Sequence, residues 1–373
     1  MKKIKFIFFI FCSWICYPIL NKRSKEIDAE LGEQKRILVI PQLSRIGDII
    51  CSTPVFYNIK KNLPQSYLAV LVSKKAIGVI KNNPRIDNFI LIEDYPGFKL
   101  IKKLREEKLN YSISLSATST STIWTLWSHI ANRIKTVVET PPITEKLTDW
   151  MANHKILYKN HTYLPVHHTK LLTFLGINSP EDKKEVFVSK QGEDKADKYI
   201  NSLNLPLNSK IVGLSITAGN KIKELGDIKF KELANKILSE KNTFVICIGG
   251  KNDKERLDNF VKNVNNPRCI STQEFNLEEL PSLMKKFSLY IGVDTGPIYI
   301  AHALGVPLID IIGPVDPLEQ PPQDEKSLRV LPRNHIKPSS FVFKRRGTPK
   351  QIELALQNTY VDDIYNAVKK LLR

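Results

Sequence analysis

Residues 289–317, LYIGVDTGPIYIAHALGVPLIDIIGPVDP, decide the predicted fold. An apolar strand at 289–293 ends in the turn DTGP at 294–297, whose proline suits the first position of a helix. That helix is predicted over 298–304, and a second apolar strand follows at 307–312. Two continuous apolar strands joined by a helix indicate a parallel sheet that is covered on both faces.

The same alternation of strands and helices extends outward from this stretch. Further strands are predicted at 37–40, 68–72, 89–92, 111–115, 211–214 and 243–248, with helices at 97–108, 228–239, 253–264 and 277–286. A charged segment around residues 178–191, which contains Pro180, has the composition of a linker. The prediction is an α/β protein with two doubly wound halves facing a cleft, at 35–185 and 186–373.

Composition limits the classes of protein that this chain can be. Its 373 residues suggest two domains, and 42% hydrophobic with 25% charged residues excludes a disordered, fibrous or polytopic membrane protein. The five cysteines form no CxxC pair or zinc spacing, which favours a reducing compartment. No GxGxxG, P-loop or Asp-x-Asp motif is present.

The net charge of +18 favours an anionic partner: nucleic acid, an acidic membrane surface or a phosphorylated substrate. Composition does not choose among these three. No RNP, KH or zinc-finger pattern supports nucleic-acid binding, so nucleic acid is not predicted as a partner.

Residues 1–34 form a separate N-terminal segment with an apolar run at 6–20 and basic residues on both sides of it. As a helix the run would reach about 22 Å, which is short of the ~30 Å hydrocarbon core. We expect a membrane-associating helix, either an uncleaved anchor or an interfacial segment, with a cleaved signal peptide and an ordinary buried helix as alternatives. The flanking basic residues suit anionic lipid.

The first candidate site residue is Asp48, in the turn SRIGD at 44–48 after the first strand. The next helix is predicted to begin at Pro54, with Ser52 or Thr53 as its N-cap. Asp48 then lies in a loop at the carboxyl end of a parallel strand, where open sheets bind ligands. Its carboxylate is suited to accept a proton from a hydroxyl, although a solvated turn aspartate fits the position equally well.

The second candidate site is the turn at 294–297. The backbone N–H groups of Thr295 and Gly296, together with the positive end of the helix, suit a phosphate, and Asp294 would lie beside it. A plain turn capped by Asp and Thr is the alternative. The segment TAGNKIK at 217–223 combines small residues, which let backbone approach an anion, with a mobile lysine charge.

Taken in order, four stretches resemble glycosyltransferase family 9, whose best-known members are the ADP-heptose:lipopolysaccharide heptosyltransferases. They are RILVIPQLSRIGDIICSTP at 36–54, TAGNKIKELGDIKFKELA at 217–234, IGG at 248–250 and the long stretch at 289–317. The final VDDIYNAVKKLLR also resembles the end of the family's sequences. The similarity covers residues 36–373.

The resemblance implies a GT-B fold of two Rossmann-like domains and inverting sugar transfer without a metal or cofactor. It implies a nucleotide-diphosphate sugar donor that is bound mainly to the C-terminal domain. ADP-heptose is the donor that the resemblance favours. The implied acceptor is a lipid-linked saccharide such as the lipopolysaccharide core. The implied location is the cytoplasmic face of the bacterial inner membrane.

By motif position, the resemblance also assigns roles to individual residues. Asp48 would be the general base, Lys223 would meet the donor diphosphate, and Asp294 would hold the transferred sugar. The remaining assignments are Thr295 and Gly296 as amide donors to the diphosphate, Thr217 and Gly219 in the donor turn, Asp253 or Glu255 near the ribose, and Arg45 and Tyr299 near the sugar or acceptor.

The chain departs from the family pattern at two places. Tyr299 stands where the family usually has a histidine, and Leu225-Gly226 replaces a frequent Trp-Pro. Two alternatives follow: a family member that transfers a different sugar to another cell-surface glycan, and a non-catalytic nucleotide-sugar-binding protein.

Overall fold

The computed structural model describes residues 2–272, 274–322, 324–334, 336–343 and 348–372, with side chains from residue 6 onward. The chain divides into two compact units. Unit 1 comprises Met1–Ile77 and Asn83–Lys183, and unit 2 comprises Gly78–Asn82 and Lys184–Arg373.

Unit 1 contains a six-stranded parallel sheet in the order β3-β2-β1-β4-β5-β6. Its strands are β1 Arg36–Ile40, β2 Tyr67–Val72, β3 Asn88–Leu91, β4 Tyr111–Ser114, β5 Asn132–Val138 and β6 His154–Tyr158. Its helices are α1 Lys2–Leu31, α2 Ile46–Ile50, α3 Thr53–Asn62, α4 Phe98–Glu106, α5 Ser119–Trp127, α6 Ile143–Thr148 and α7 Leu164–Lys170. The chain builds outward from β1 in one direction and from β4 in the other, so the switch point lies between these two strands.

Unit 2 repeats this topology, with a parallel sheet in the order β12-β11-β10-β7-β8-β9. Its strands are β7 Lys210–Ser215, β8 Thr243–Ile248, β9 Cys269–Thr272, β10 Leu289–Val293, β11 Leu308–Ile311 and β12 Ser327–Val330. Its helices are α8 Lys190–Ser202, α9 Asp227–Leu238, α10 Lys254–Val264, α11 Leu280–Met284, α12 Gly296–Ala303, α13 Pro349–Gln357 and α14 Val361–Leu371. The switch point here lies between β7 and β10.

The predicted α/β class with parallel sheets is confirmed, but four strands were missed: β5, β6, β9 and β12. β5 shows why, because its sequence NRIKTVV is not an apolar run. Arg133 and Lys135 are buried in it all the same, since Arg133 donates to the carbonyls of Met151 and Ile130 and Lys135 pairs with Asp149 at 2.6 Å. Buried cations are tolerated where such partners exist. No local sequence pattern predicts that these two cations are buried.

The core of unit 2 shows how closely the elements pack. Val212 and Leu214 of β7 and Phe230 of α9 are fully buried in one cluster. On the opposite face of β7, a Cβ added to Gly213 would lie 2.3 Å from the ring of Phe287. Glycine at this position therefore lets the aromatic ring lie directly against the strand.

One side of helix α1 packs against the rest of unit 1. Ile10, Ser13 and Leu20 are buried there, and Trp127 Nε1 donates to Ser13 Oγ at 2.8 Å. Arg133 binds Asn21 Oδ1 at 2.9 Å, which fixes the next part of the helix. No helix in the described part of the chain is both long enough and apolar enough to cross a bilayer.

Two buried histidines on α7 are held neutral by the core of unit 1. His167 Nε2 lies 3.0 Å from Thr136 Oγ1, and His168 Nδ1 lies 3.2 Å from the carbonyl of Cys51. Burial lowers the pKa of His167 to about 3 and that of His168 to about 4. Among the described residues, no cluster of three or more His, Cys, Asp or Glu is placed to hold a metal ion.

We predict that acid destabilises unit 1 through these histidines. The unfolded chain binds protons at His168 below about pH 6.5, whereas the folded protein does so only near pH 4, so the contribution of this residue is lost as pH falls between these values. The loss amounts to roughly 3 kcal/mol. Denaturant unfolding at a series of pH values should show a flatter acid limb in His168→Asn than in wild type. Asn retains a donor for the Cys51 carbonyl, and the same substitution at exposed His161 is the control. Equal slopes for both variants would contradict the assignment.

Candidate active site

The candidate donor site of unit 2 lies at the switch point of its sheet. β7 and β10 are neighbours, with Gly292 in register with Ser215. The segment that begins at Thr217 therefore leaves the sheet beside the turn at Asp294. Connections that leave a switch point in opposite directions open a crevice, where ligands of such sheets bind.

The carboxylate of Asp294 is the centre of the polar cluster at this point. Lys223 Nζ lies 2.8 Å from the Asp294 carbonyl and 2.5 Å from Oδ2. The hydroxyl of Tyr299 donates to Oδ1. Only 3% of the Asp294 side chain is exposed, against 17% for Lys223. A carboxylate this deeply buried requires such partners, and here a cation and a phenol supply them.

The turn itself presents backbone donors next to that cluster. Thr295 is the N-cap of α12 with an extended backbone, and its hydroxyl donates to the Val293 carbonyl at 3.0 Å. Helix geometry leaves the N–H groups of the first turn without intrahelical partners, and Pro297 removes one of them. The amides of Thr295 and Gly296 thus lie at the positive end of α12, the kind of helix end that suits an anion.

A cleft in unit 2 is lined both by the segment at 217–226 and by the turn at Asp294. Its lining includes Asn220, Lys223, Asp294, Asp316 and Glu319. Among the described residues that line it, one is a cation and three are carboxylates. Cations bind phosphate oxygens, whereas carboxylates accept hydrogen bonds from sugar hydroxyls, so the cleft offers both kinds of contact.

A second polar group lies behind Tyr299. Buried Lys184 has its Nζ 5.6 Å from the centre of the Tyr299 ring and 3.3 Å from His302 Nδ1. His302 Nε2 lies 2.7 Å from Asp324. Burial, reinforced by the charge of Lys184, lowers the pKa of His302 to about 4. An ammonium only donates and a carboxylate only accepts, so neutral His302 accepts at Nδ1 and donates from Nε2.

Asp310 is a fully buried carboxyl in the middle of β11. It is in register with Gly292, two residues before Asp294, and neither of its oxygens has a hydrogen-bond partner among the described residues. Burial, reinforced by the charge of Asp294, raises the pKa of Asp310 well above its usual range. Asp310 therefore holds its proton to higher pH than an ordinary aspartate does.

The segment at 217–226 is fixed by an ionic chain. The N–H of Ala218 donates to Glu224 Oε1 at 3.0 Å, and Glu224 Oε2 binds Arg256 at 2.7 Å. Arg256 also binds Asp227 at 2.6 Å. Thr217 is half-buried and Gly219 is exposed. Both lie in this segment, but among the described residues no hydrogen bond or ion pair joins them to Asp294.

The residues predicted near the ribose follow the IGG turn. Asp253 Oδ2 accepts the N–H of Gly250 at 2.9 Å and so caps the short 3-10 turn Lys251–Asp253 that precedes α10. Glu255 lies exposed on the first turn of α10. A Cβ on Gly249 would lie 2.7 Å from Leu257, which explains the glycine at that position.

The structure corrects the predicted surroundings of Asp48 in unit 1. Asp48 is not in an open loop: it lies in the short helix α2, and it is only 4% exposed. The following helix begins at Thr53, with Ser52 as its N-cap, one residue earlier than predicted. Arg45, the N-cap of α2, is exposed and donates to Gln42 Oε1 at 2.7 Å.

Asp48 nevertheless occupies the corresponding position of its own sheet. It follows β1, which borders the switch point with β4. The segment after β4 carries Ser116, Thr118 and Ser121, and Thr118 is the N-cap of α5. These hydroxyl groups were missed by the sequence analysis. Their signal was the polar run ATSTST that follows a strand.

The structure thus brings together three of the predicted residues directly: Lys223, Asp294 and Tyr299. Thr295 and Gly296 adjoin them in the chain. The sequence analysis missed Lys184, His302 and Asp310 as parts of this site. Lys184 was assigned to a linker, and the signal for Asp310 was a single acid inside the apolar run VPLIDII.

Comparison with known proteins identifies the class. The sequence model described as "Glycosyltransferase family 9 (heptosyltransferase)" matches residues 98–342, about two thirds of the chain. The chain therefore belongs to glycosyltransferase family 9 and is a transferase. This membership argues against the non-catalytic alternative.

Individual relatives agree with this membership. The chain is similar to lipopolysaccharide heptosyltransferase 1 of Campylobacter coli, at 26% identity over 74% of this chain and 83% of the relative. Its fold matches a glycosyl transferase family 9 structure from Veillonella parvula with a TM-score of 0.74 and 20% identity, over 91% of this chain and 97% of the other. It also matches E. coli ADP-heptose lps heptosyltransferase II with a TM-score of 0.70 and 17% identity, over 90% and 98%.

We predict that Asp310 makes unit 2 less stable as pH rises. The folded protein holds the proton of this carboxyl to higher pH than the unfolded chain, which releases it above about pH 3.8, so rising pH favours unfolding until the folded pKa is reached. Asp310→Asn removes that dependence. The free energy of unfolding of this variant relative to wild type should rise with pH above about pH 4, by at most about 1.4 kcal/mol per pH unit.

Denaturant titrations from pH 4 to pH 8 measure this difference, with Asp362→Asn at an exposed position as the control. A difference that stays constant with pH in Asp310→Asn would show that the carboxyl ionises normally.

Proposed function

We propose that this enzyme transfers a heptose from a nucleotide-diphosphate donor, ADP-heptose, to a lipid-linked saccharide such as the lipopolysaccharide core. The reaction is inverting, needs neither a metal nor a cofactor, and takes place at the cytoplasmic face of the bacterial inner membrane. Family membership supports the sugar transfer, and the names of the relatives support the heptose and the lipopolysaccharide acceptor.

The observation that carries the proposal is the Lys223–Asp294–Tyr299 cluster beside the first turn of α12. We assign the donor diphosphate to Lys223 and to the amides of Thr295 and Gly296. Negative charge grows on the diphosphate as the glycosidic bond breaks, and fixed donors stabilise such charge most effectively where water is excluded. Since Lys223 already neutralises Asp294, the diphosphate would share this cation with the carboxylate.

The carboxylates of the cleft suit the transferred sugar. Asp294, Asp316 and Glu319 line the cleft that also contains Lys223. A heptose carries several hydroxyl groups, and ionised carboxylates accept hydrogen bonds from them. We place the sugar on this side of the diphosphate.

Asp48 is our candidate general base. It removes the proton from the acceptor hydroxyl while that oxygen attacks the anomeric carbon, and the nucleoside diphosphate leaves from the opposite face. Its position in α2, directly after β1 at the switch point of the sheet, favours this role, because ligands of such sheets bind at that point.

A different sugar remains the second candidate, and Tyr299 is the observation that favours it. The Tyr299 hydroxyl occupies Oδ1 of Asp294, the residue assigned to the sugar. Since the family usually has a histidine at this position, the sugar meets a different hydrogen-bonding surface here. A member that transfers another sugar to a different cell-surface glycan fits this substitution.

We expect the purified protein to release nucleoside diphosphate from ADP-heptose in the presence of EDTA when a lipid-linked acceptor is added. Asp48→Asn should lower kcat by about 10²–10⁴ because the base is lost. Donor affinity should remain close to that of wild type, because Asp48 and the donor cluster belong to different units.

A screen of nucleotide sugars in the same assay separates the two candidates. Turnover of ADP-heptose alone would exclude the second, and turnover of another sugar alone would exclude the first. Normal turnover by Asp48→Asn would refute the assignment of the base, and complete loss of activity in EDTA would refute metal independence.

Lys223→Ala should weaken donor binding and also lower kcat, together by about 10²–10³ in kcat/KM, because the lysine stabilises the leaving group. Lys221→Ala is the matched control, since Lys221 lies in the same turn but is exposed. Calorimetric titration with the nucleoside diphosphate checks the binding part separately. Equal effects of both variants would place the diphosphate elsewhere.

A further inference from the structure

The outward side of α1 exposes large apolar side chains along its first half. The exposed residues and fractions are Ile7 57%, Phe8 67%, Phe11 62%, Trp14 46%, Ile15 63% and Ile19 74%. Their spacing of three or four residues places them along one side of the helix. The opposite side, with Ile10 and Leu20, is already buried against unit 1. Core packing therefore does not explain the outward residues.

Two neighbouring elements of unit 1 extend this surface. Phe98, at the start of α4, is 69% exposed and contacts Phe9 with ring centres 5.2 Å apart. Trp150, which is 41% exposed, contacts Trp14 at 5.3 Å. Ile143, at the start of α6, is 68% exposed. We call these three residues and the outward residues of α1 the apolar face. Several large exposed apolar side chains on neighbouring elements are typical of a binding surface.

The two tryptophans of the apolar face are held in fixed positions. Trp14 Nε1 and Trp150 Nε1 both donate to the carbonyl of Leu147, at 2.8 Å and 3.0 Å. The polar edges of both indoles are therefore turned to unit 1, and their rings remain partly exposed. Tryptophan is enriched at the boundary between lipid and water because it combines an apolar body with one polar group.

Basic residues surround the apolar face. On α1, exposed Lys22 and Arg23 follow the apolar residues. On α4, exposed Lys102 and Arg105 lie four and seven residues after Phe98, on its side of the helix. On α6, exposed Lys146 follows Ile143 by three residues. Glu26 is the nearest acid on α1, and it is paired with Arg23 at 3.1 Å.

We propose that the apolar face docks on an anionic lipid surface, with α1 lying in the plane of the interface and its outward side chains inserted among the acyl chains. Apolar residues bordered by lysine and arginine are the pattern of an interfacial helix. A second copy of the chain is disfavoured as the occupant, because pairing two such faces would bring their basic borders together. The inference deepens the proposed function by naming the surface that reaches a lipid-linked acceptor, but lipid binding is measured without any sugar transfer.

Co-sedimentation with vesicles tests this proposal. We expect the full-length protein to bind vesicles of phosphatidylglycerol and phosphatidylethanolamine, and to bind neutral phosphatidylcholine vesicles more weakly. Added salt should weaken binding to the anionic vesicles. The combined variant Phe8→Ser, Phe11→Ser, Ile15→Ser and Ile19→Ser should lose more than about 100-fold in partitioning, because four apolar side chains no longer enter the lipid.

The matched control is Leu207→Ser with Ile228→Ser, two residues of unit 2 that are 88% and 87% exposed and lie outside the apolar face. It should bind vesicles as wild type does. A second variant, Lys22→Gln with Lys102→Gln and Lys146→Gln, keeps every apolar residue and should weaken binding to anionic vesicles by about fivefold per lysine removed.

Three results would overturn the proposal. In the first, wild-type protein stays in the supernatant. In the second, the serine variant and the control variant bind vesicles equally well. In the third, wild-type protein does not bind vesicles but forms a dimer in sedimentation equilibrium, and the serine variant is monomeric. Donor turnover with a soluble acceptor separates this inference from the proposed function. If wild-type protein turns over the donor but does not bind vesicles, only the docking surface is refuted. If it binds vesicles but does not turn over the donor, only the transfer reaction is refuted.

Discussion

A buried carboxylate at the end of β10 is the constraint on which the candidate site depends. Asp294 exposes 3% of its side chain, so its charge must be compensated within the protein. Lys223 and Tyr299 provide this compensation from two different segments, and their positions follow from that requirement. Burial, reinforced by the charge of Asp294, raises the pKa of Asp310, one strand away, well above its usual range. The site thus combines a carboxylate that is paired with a cation and a carboxyl that has no hydrogen-bond partner among the described residues.

The two parallel sheets explain where the chemistry-bearing residues occur. In each sheet the order of the strands reverses once, between β1 and β4 in unit 1 and between β7 and β10 in unit 2. Asp48 follows β1, and Asp294 follows β10. In both units a candidate acid therefore lies at the one place where adjacent connections diverge and leave room for a ligand. The repeat is one of topology, since the two halves show no evident repeat in sequence.

Charge and apolar surface have separate roles in this chain. In the donor cluster, cations are engaged singly and at short range, as Lys223 is with Asp294. Around the apolar face, cations such as Lys22 and Lys146 are exposed, which suits a general attraction to anions. The net charge of +18 is thus compatible with both a phosphate-bearing donor and an anionic surface, and it does not distinguish them by itself.

The sequence by itself determined the α/β class, most strands and the turns that carry Asp48, Lys223 and Asp294. It could do so because continuous apolar runs bounded by glycine and proline are local signals. Tertiary structure alone decided that Tyr299 shares a carboxylate with Lys223, that Lys184 belongs beside His302, and that Asp48 lies in a short helix with little exposure. It also decided that β5 carries buried cations and that α1 has a packed side and an outward apolar side. These features depend on partners far away in the chain, and no local pattern contains that information.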